Sequence, residues 1–241
     1  MREETAIVYG VNPAFEAIIA GRRKVLTAYL NRSTAISPRL RKLTAVLKNY
    51  GIPHELVEKG KLMELANTRD HQGVVLVTEP YPYIPYAELI GKPRLVLLDN
   101  IEDPHNVGAI IRSAEVLGFD AVLLPKRGVP GALPSVAKVS AGALDHLAIA
   151  KNCSTNQYVK IAKDEGYHIA ALHSKGETTV EELQRRLPDK LLLVVGGENK
   201  GVRQFILNEA DDVVSIPRRG RVSSLNASVA AGIALAAFAG D

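Results

Sequence analysis

Three stretches of this chain are apolar almost without interruption: LVLL at 95–98, HIAAL at 168–172 and LLLVV at 191–195. A strand with one solvated face alternates apolar and polar side chains, so a continuous apolar run indicates that both faces are buried. Burial on both faces is typical of a parallel sheet, because the connections between parallel strands lay helices over it. We therefore expect an α/β fold with a parallel-sheet core.

Around these runs, strand-like and helical segments alternate along the second part of the chain. The predicted strands are 94–98, 121–124, 146–149, 167–172, 191–195 and 213–216. The predicted helices are 107–117, 135–142, 155–165, 179–186, 201–208 and 226–239. This alternation favours a single α/β domain over residues 94–241.

A proline-rich connector precedes that domain. The segment EPYPYIPY at 79–86 contains three prolines within six residues, which disfavours a helix and favours an extended linker. Before it, the pattern predicts helices at 12–20, 37–50 and 59–66 and strands at 24–30, 53–57 and 73–78. We divide the chain into a small α/β domain at 1–78, a linker at 79–93 and a larger α/β domain at 94–241.

Positive charge is concentrated in the small domain. Residues 1–78 contain 12 Lys and Arg against 7 Asp and Glu, whereas residues 79–241 contain 18 against 19. Such an excess suits a polyanionic partner, although an ordinary solvated basic surface has the same composition. We take the cluster Arg22, Arg23 and Lys24 as candidate phosphate contacts.

Composition narrows the class of protein further. The single cysteine, Cys153, cannot form an internal disulfide, which suits a reducing cytosol. We see no signal peptide in MREETAIVYG, and the apolar run at 227–240 is too short to span a bilayer. Asp103 and His105 are the nearest approach to a metal site, and one histidine with scattered carboxylates makes a poor zinc set. We expect a cytoplasmic protein with no metal and no membrane partner.

Three polar motifs follow predicted strands of the larger domain. They are N-x-G-A-x-x-R at 106–112, G-x-E-x-x-G at 196–201 and I-P-x-x-G-x-V-x-S-L-N at 216–226. Polar residues at strand ends are how an α/β protein builds a site. Together the three motifs resemble those of the SpoU group of RNA ribose 2′-O-methyltransferases, the TrmH-type branch of the SPOUT superfamily.

This resemblance carries a set of expectations about fold, donor and partners. It implies S-adenosylmethionine as methyl donor, a deep trefoil knot in the larger domain and a homodimer whose partner completes the RNA site. It also implies that the small domain, with RDHQGVVL at 69–76, is similar to a ribosomal RNA-binding protein. We expect the terminal helix at the dimer interface through small residues at helical spacing, namely Ala227, Ala230, Ala231, Ala234 and Ala237.

By the same resemblance the catalytic residues are Asn106, Arg112, Glu198, Ser224 and Asn226. The residues alone leave plainer roles open. Asn106, Ser224 or Asn226 would serve as a helix cap, Arg112 as a solvated helix arginine, and Glu198 as a partner of a helix dipole. The family proposal makes Arg112 a proton acceptor or a stabiliser of the incipient alkoxide. Because arginine is almost always protonated, stabilisation is the safer physical interpretation.

The remaining candidate residues are expected to bind either the methyl donor or the RNA. The resemblance implies that the methyl donor is bound by Leu172, His173, Gly196, Gly197, Ile216 and Leu225. The arginines beside the second and third motifs, Arg203, Arg218, Arg219 and Arg221, are candidate RNA phosphate contacts.

The organisation of the chain looks most like the branch that modifies a guanosine in the 23S ribosomal RNA. Two alternatives stay open: a tRNA ribose methyltransferase of the same family, and a non-catalytic RNA-binding factor with this fold. A nicotinamide-dependent oxidoreductase is disfavoured, because the junction DNIEDPHNVG after the first strand of the larger domain lacks G-x-G-x-x-G. We expect the small domain to choose the RNA and the larger one to supply the chemistry.

Overall fold

The computed structural model describes residues 5–35, 37–197, 201–222 and 224–239. The chain forms two compact units: Met1–Pro82 with Ala132–His146, and Tyr83–Gly131 with Leu147–Asp241. The domain predicted at 94–241 is therefore not continuous in space, since residues 132–146 pack with the first unit.

The described residues contain strands and helices in alternation. The strands are β1 Ala6–Tyr9, β2 Val25–Asn31, β3 His54–Val57, β4 Val74–Thr78, β5 Arg94–Asp99, β6 Ala121–Leu123, β7 Ala148–Ala150, β8 His168–Leu172, β9 Thr178–Thr179, β10 Leu191–Gly196 and β11 Asp212–Ser215. The helices are α1 Val11–Ala20, α2 Pro38–Asn49, α3 Lys59–Ala66, α4 Pro104–Val116, α5 Pro134–Val139, α6 Ala143–His146, α7 Thr155–Asp164, α8 Val180–Gln184, α9 Gln204–Glu209 and α10 Ala227–Phe238. A 3₁₀ turn covers Tyr86–Leu89.

The first unit is a sheet with helices on both faces. In its described part, four strands lie in the order β1-β4-β2-β3, and only β2 and β3 run parallel. Side chains alternate along each strand, so Val74 and Leu76 pack under α1 and α2 while Val75 packs under α3. The pattern did not predict β1, a strand of four residues near the chain start, and its pairing with β4 supplies the partner that a short segment needs.

Segment 132–146 is held to the first unit by packing and by a buried ion pair. Helix α5 packs against β1, and α6 packs against α1. The Arg23 guanidinium donates to both carboxylate oxygens of Asp145, with Nε–Oδ1 and Nη2–Oδ2 each 2.8 Å. Both side chains are almost fully buried, and Arg23 also lies over the Tyr81 ring at 5.3 Å. Arg22 donates to the main-chain oxygens of Asp145 and His146 at 2.8 and 2.9 Å.

The second unit confirms the expected parallel-sheet core. Its described strands form a seven-stranded sheet in the order β7-β6-β5-β10-β8-β11-β9, and every pair is parallel. Leu95 and Leu97 pack with the core beneath α7 and α9, and the alternate residues Val96 and Leu98 are also fully buried. Both sheet faces are therefore covered, as the continuous apolar runs predicted.

The last helix, α10, packs against α4, α8 and β10. Ala227, Ala231 and Ala234 are buried within the protomer, so most of the small residues expected at a dimer interface face inward instead. The exposed side of the helix carries Val229 and Ile233. Among the described residues, no helix combines the length and apolar character needed to cross a membrane.

The predicted linker is packed rather than free. The Tyr81 hydroxyl donates to the main-chain oxygen of Leu144 in the first unit at 2.9 Å. Tyr86 is buried in the second unit, with its ring edge-on to Tyr158 at 5.0 Å between centroids. Tyr81, between the first two prolines, and Tyr86, after the last, thus anchor the connector at each end.

The buried Arg23–Asp145 pair predicts that replacing Arg23 lowers the stability of the protein far more than replacing an exposed arginine. Arg23→Ala would leave the Asp145 carboxylate buried without its partner, which typically costs about 3–5 kcal/mol. We expect a clearly lower urea midpoint for the full chain. Arg39→Ala, at an exposed position on α2, should change the free energy of unfolding by no more than about 0.5 kcal/mol and leave the midpoint close to wild type. Equal midpoints for the two variants would show that the pair does not stabilise the unit.

Candidate active site

The candidate site lies at one edge of the parallel sheet of the second unit. Strands β5, β10, β8 and β11 are neighbours in that order. Because all of them are parallel, the loops that follow them meet at the same edge, the usual ligand crevice of such sheets. The second and third motifs follow β10 and β11, and the first follows β5.

A cavity of about 350 Å³ opens at this edge. It is lined by all six residues predicted to contact a methyl donor, Leu172, His173, Gly196, Gly197, Ile216 and Leu225. Ser224 and Arg218 also line it, as do Ser174 and Gly201, which sequence reasoning missed. Ser174 directly follows the predicted pair at the end of β8, so its place in the loop was the available signal.

Two glycines shape the cavity wall because other chain segments pass very close to them. A Cβ on Gly196 would collide with the main chain of Gly201 and Val202, and one on Gly197 would collide with the main-chain oxygen of Asn100. The Gly197 amide donates to the Asp99 main-chain oxygen at 3.0 Å. Close approach of backbone to backbone, rather than an unusual φ angle, is the reason for glycine here.

His173 enters the cavity wall with a defined tautomer. Its Nδ1 accepts a hydrogen bond from the Lys175 amide at 3.2 Å, and its own amide donates to Val214 on β11 at 2.8 Å. A ring nitrogen that accepts carries no proton, so the neutral ring bears its proton on Nε2. His173 therefore offers one N–H donor to a polar ligand.

A buried carboxylate organises the loops beneath the cavity. Asp99, at the end of β5, accepts from the Arg203 amide at 3.0 Å and from the Thr155 hydroxyl at 3.2 Å. The Arg203 Nε lies 3.2 Å from the same carboxylate and 3.3 Å from the Asn100 Oδ1. Burial raises the pKa of Asp99, and its partners at Arg203 and Thr155 partly offset that rise. The polar residue closing the apolar run LVLLD was a signal that sequence reasoning left unused.

The first and third motifs meet through two asparagines. The Asn226 side-chain amide donates to the Asn106 Oδ1 at 3.1 Å across 120 positions of sequence. The Asn226 Oδ1 also caps α10, accepting from the amides of Ser228 and Val229. The capping role considered for Asn226 is thus confirmed.

The cap considered for Asn106 is wrong. Helix α4 begins at Pro104, three residues before the predicted start, and Asp103 caps it by accepting from the His105 amide at 2.8 Å. Asp before Pro is a strong start signal, since proline fits the first helical position. Asn106 lies inside the helix and is buried, which points its side chain to Asn226 rather than to solvent.

Arg112 lies on α4, which packs against α10. Its side chain is exposed, and within the described part of the chain it forms no hydrogen bond or ion pair. It does not line the cavity of its own protomer. Glu198, the remaining predicted catalytic residue, lies outside the described residues.

Comparison with known protein families gives two matches that together cover most of the chain. The SpoU rRNA methylase family matches residues 93–236, and the family of RNA 2′-O ribose methyltransferase substrate-binding domains matches residues 7–84. The chain belongs to the SpoU family. It is therefore an RNA 2′-O-methyltransferase that uses S-adenosylmethionine.

Individual methyltransferases are similar to this chain over nearly its whole length. An uncharacterised tRNA/rRNA methyltransferase of Mycobacterium leprae is 33% identical over 98% of this chain and 78% of its own. A putative TrmH family tRNA/rRNA methyltransferase of Staphylococcus epidermidis is 32% identical over 95% of this chain and 93% of its own. The SpoU methyltransferase AviRb of Streptomyces viridochromogenes, solved with AdoMet, superimposes with a TM-score of 0.79 at 26% identity, covering 97% of this chain and 88% of its own.

The cavity of this SpoU chain has the size and the mixed lining of a small-molecule site. Its volume falls within the range of small-molecule pockets. Leu172, Ile216 and Leu225 form apolar walls. The two glycines expose main-chain atoms, and the His173 ring offers an N–H group for a hydrogen bond. Within the described residues, no three His, Cys, Asp or Glu side chains group in a way that could hold a metal ion.

The predicted RNA contacts separate into three groups. Arg23 is 4% exposed and paired with Asp145, so it cannot reach a phosphate and we withdraw it. Arg22 is partly buried by its bonds to main-chain oxygens, while Lys24 is exposed. The residues beside the site are all exposed, namely Arg203, Arg218, Arg219 and Arg221. Arg203 precedes α9 rather than lying in its first turn.

We call the 350 Å³ cavity the donor cavity, since S-adenosylmethionine is predicted to bind there. The close approach at Gly196 predicts that Gly196→Ala damages it. The new Cβ must push the main chain at 201–202 away, and overpacking of this kind costs about 1–3 kcal/mol. We expect a lower urea midpoint and roughly tenfold weaker S-adenosylmethionine binding by calorimetry. Gly60→Ala in α3, where a Cβ meets nothing within 4 Å, should leave both unchanged or add up to about 1 kcal/mol of stability. Wild-type donor affinity in Gly196→Ala would contradict this account of the wall.

Proposed function

We propose that this SpoU-family enzyme methylates the ribose 2′-hydroxyl of a guanosine in the large-subunit ribosomal RNA, in the cytoplasm. A tRNA target is the alternative within the same family, and the relatives' names include both kinds of RNA. Two units that match a substrate-binding and a methylase family favour a structured target that needs its own recognition domain.

One observation carries the proposal: segments far apart in sequence converge on a single edge of the sheet. Ser224 and the six donor candidates line one cavity. Next to it, the Asn106–Asn226 hydrogen bond ties the first motif to the third. A binding factor without chemistry has no need for this convergence, so we propose that Asn106, Arg112, Glu198, Ser224 and Asn226 form the catalytic set.

Arg112 acts on the charge that develops during transfer. When bound, S-adenosylmethionine supplies an electrophilic methyl group at this edge. The ribose 2′-hydroxyl would pass its proton to solvent water. Negative charge grows on the oxygen as the proton leaves, and is lost as the new O–C bond forms and the bond from that carbon to the donor sulfur breaks. A protonated guanidinium placed beside that oxygen stabilises the charge. Arg112 is exposed and forms no ion pair with any other described residue, so it is available for this. The Asn106–Asn226 pair fixes the start of α4, and thereby the helix that carries Arg112.

Arg112 does not line the cavity of its own protomer, and a homodimer would bring it to the cavity of the partner. The exposed face of α10 presents Val229 and Ile233, four positions apart and 50% and 39% exposed. Val116, at the end of α4, is 71% exposed. Exposed aliphatic side chains on two packed helices suit an interface. We propose that α10 and α4 form it and that the partner completes the RNA site.

Two further properties belong to the proposal. A knotted path for the chain is one of them, and it is supported by the match of residues 93–236 to the SpoU methylase family. The net positive charge of residues 1–78 supports RNA recognition by the first unit, with a fold similar to a ribosomal RNA-binding protein. Lys24 is the exposed candidate there.

Ribose-methylation mapping tests the target. In a strain lacking this protein, one guanosine of the large-subunit RNA should lose its 2′-O-methyl group. The wild-type gene should restore it and Arg112→Ala should not. With purified enzyme, Arg112→Ala should lower the transfer rate by about 10²–10³ because charge stabilisation is lost, while calorimetric donor affinity stays near wild type.

Arg185→Ala, at an exposed arginine that follows α8, is the control and should keep full activity. Loss of methylation from a tRNA instead would move the target to the alternative branch. Activity of Arg112→Ala within a few-fold of wild type would remove Arg112 from the catalytic set.

Light scattering tests the dimer. The wild-type chain should be a dimer at micromolar concentration, and Val229→Asp with Ile233→Asp should be a monomer, because two carboxylates would be buried without partners. Ile19→Asp, at a 52% exposed position in the first unit, should stay dimeric. A monomeric wild type, or a dimeric double variant, would place the interface elsewhere or remove it.

A further inference from the structure

We infer that a second cavity in the same unit, lined by basic side chains, binds a backbone phosphate of the RNA beside the methylated nucleotide. The inference rests on the proposed function, since it assumes an RNA substrate. The cavity has a volume of about 380 Å³ and is lined by Pro125, Lys126, Arg127, Ser154, Thr155 and Arg203. It lies at the ends of β6 and β7, on the same edge of the sheet as the donor cavity.

Two of the lining cations have no side-chain partner among the described residues. Lys126 and Arg127 are exposed, and neither side chain forms an ion pair or hydrogen bond within the described part of the chain. By contrast Lys163, on the same unit, pairs with Glu209 at 3.0 Å. Adjacent like charges repel, so leaving both unpaired at one cavity is unfavourable unless an anion compensates them.

Arg203 brings a third cation to the cavity in a fixed orientation. Its Nε and Nη2 are held by the Asn100 Oδ1 at 3.3 and 3.1 Å, and its Nε by Asp99. A Cβ on Gly128 would lie 3.8 Å from Nη2, so the guanidinium reaches the loop that carries Lys126 and Arg127. A guanidinium has five N–H donors, which leaves donors for a phosphate.

Helix α7 adds a fourth positive element. Its N-terminus is closed by a capping box in which the Ser154 hydroxyl accepts from the Gln157 amide and the Gln157 side chain accepts from the Ser154 amide. Ser154 and Thr155, at the start of this ten-residue helix, line the cavity, so the positive end of the helix dipole lies beside it. The helix end supplements the three cations and would not suffice alone.

The position of the cavity selects RNA as the source of the phosphate. Gly201 lines the donor cavity and Arg203 lines the basic one. Two residue steps span at most about 7 Å, so the two cavities share a wall. A nucleotide whose ribose faces the donor cavity therefore has its own backbone phosphates within reach of Lys126, Arg127 and Arg203.

RNA binding at several salt concentrations tests the inference with full-length protein. The probe is large-subunit ribosomal RNA transcribed in vitro, which carries no modification. In Lys126→Gln with Arg127→Gln, the Kd should rise roughly tenfold through loss of charge-assisted hydrogen bonds. The slope of log K against log salt should become shallower by roughly 0.7–1.4, because one or two phosphate contacts no longer release counterions.

Lys160→Gln with Arg185→Gln is the matched control. It removes the same number of charges from two exposed positions of the same unit, where neither side chain forms an ion pair with another described residue. Its slope should stay within error of wild type. Neither pair of substitutions lies on the donor cavity, so both variants should bind S-adenosylmethionine normally. In transfer assays the first variant should raise KM for RNA more than it lowers kcat.

Equal changes in the two variants would overturn the inference, because net charge alone would then explain them. An unchanged slope in the first variant would overturn it as well. The proposed function is tested separately by the wild-type protein. A wild type that binds RNA without methylating it would refute that function, while the difference between the two slopes would still decide whether the cavity holds a phosphate.

Discussion

The Asp99 carboxylate is the contact on which the site depends. It is fully buried at the end of β5 and is satisfied by Thr155 from α7 and by the amide and guanidinium of Arg203. A buried carboxylate without such partners would be costly, so the carboxylate fixes the segment that contains Gly201 and Arg203. That segment is a wall of the donor cavity on one side and of the basic cavity on the other.

The ion pair between Arg23 and Asp145, buried on both sides, has a purely structural role. Arg23 belongs to the basic cluster that composition offered as an RNA contact, yet it holds Asp145 inside the first unit. The pair, together with the bonds from Arg22, fastens residues 132–146 to a unit that begins more than a hundred residues earlier. Deleting residues 1–82 would remove the packing partners of α5 and α6. The proposed roles in RNA recognition and in catalysis are therefore best separated with point variants.

Sequence patterns predicted most elements within a few residues, and their errors have local causes. The continuous apolar runs gave β5, β8 and β10 because burial on both faces leaves a plain signature. The start of α4 was placed too late because the Asp103-Pro104 cap was overlooked. Strand β1 and the two-residue β9 were missed, since segments this short take their structure from the neighbours with which they pair.

By itself the sequence determined the parallel-sheet class, the three motifs and, through them, the family and six residues that line one cavity. These follow from local order along the chain: burial sets the apolar pattern, and strand ends set where polar residues gather. Only the tertiary structure decided that Arg23 is buried, that residues 132–146 join the first unit and that Lys126, Arg127 and Arg203 share a cavity. Each of those facts joins residues far apart in the chain, and such contacts depend on packing and charge pairing that no local pattern records.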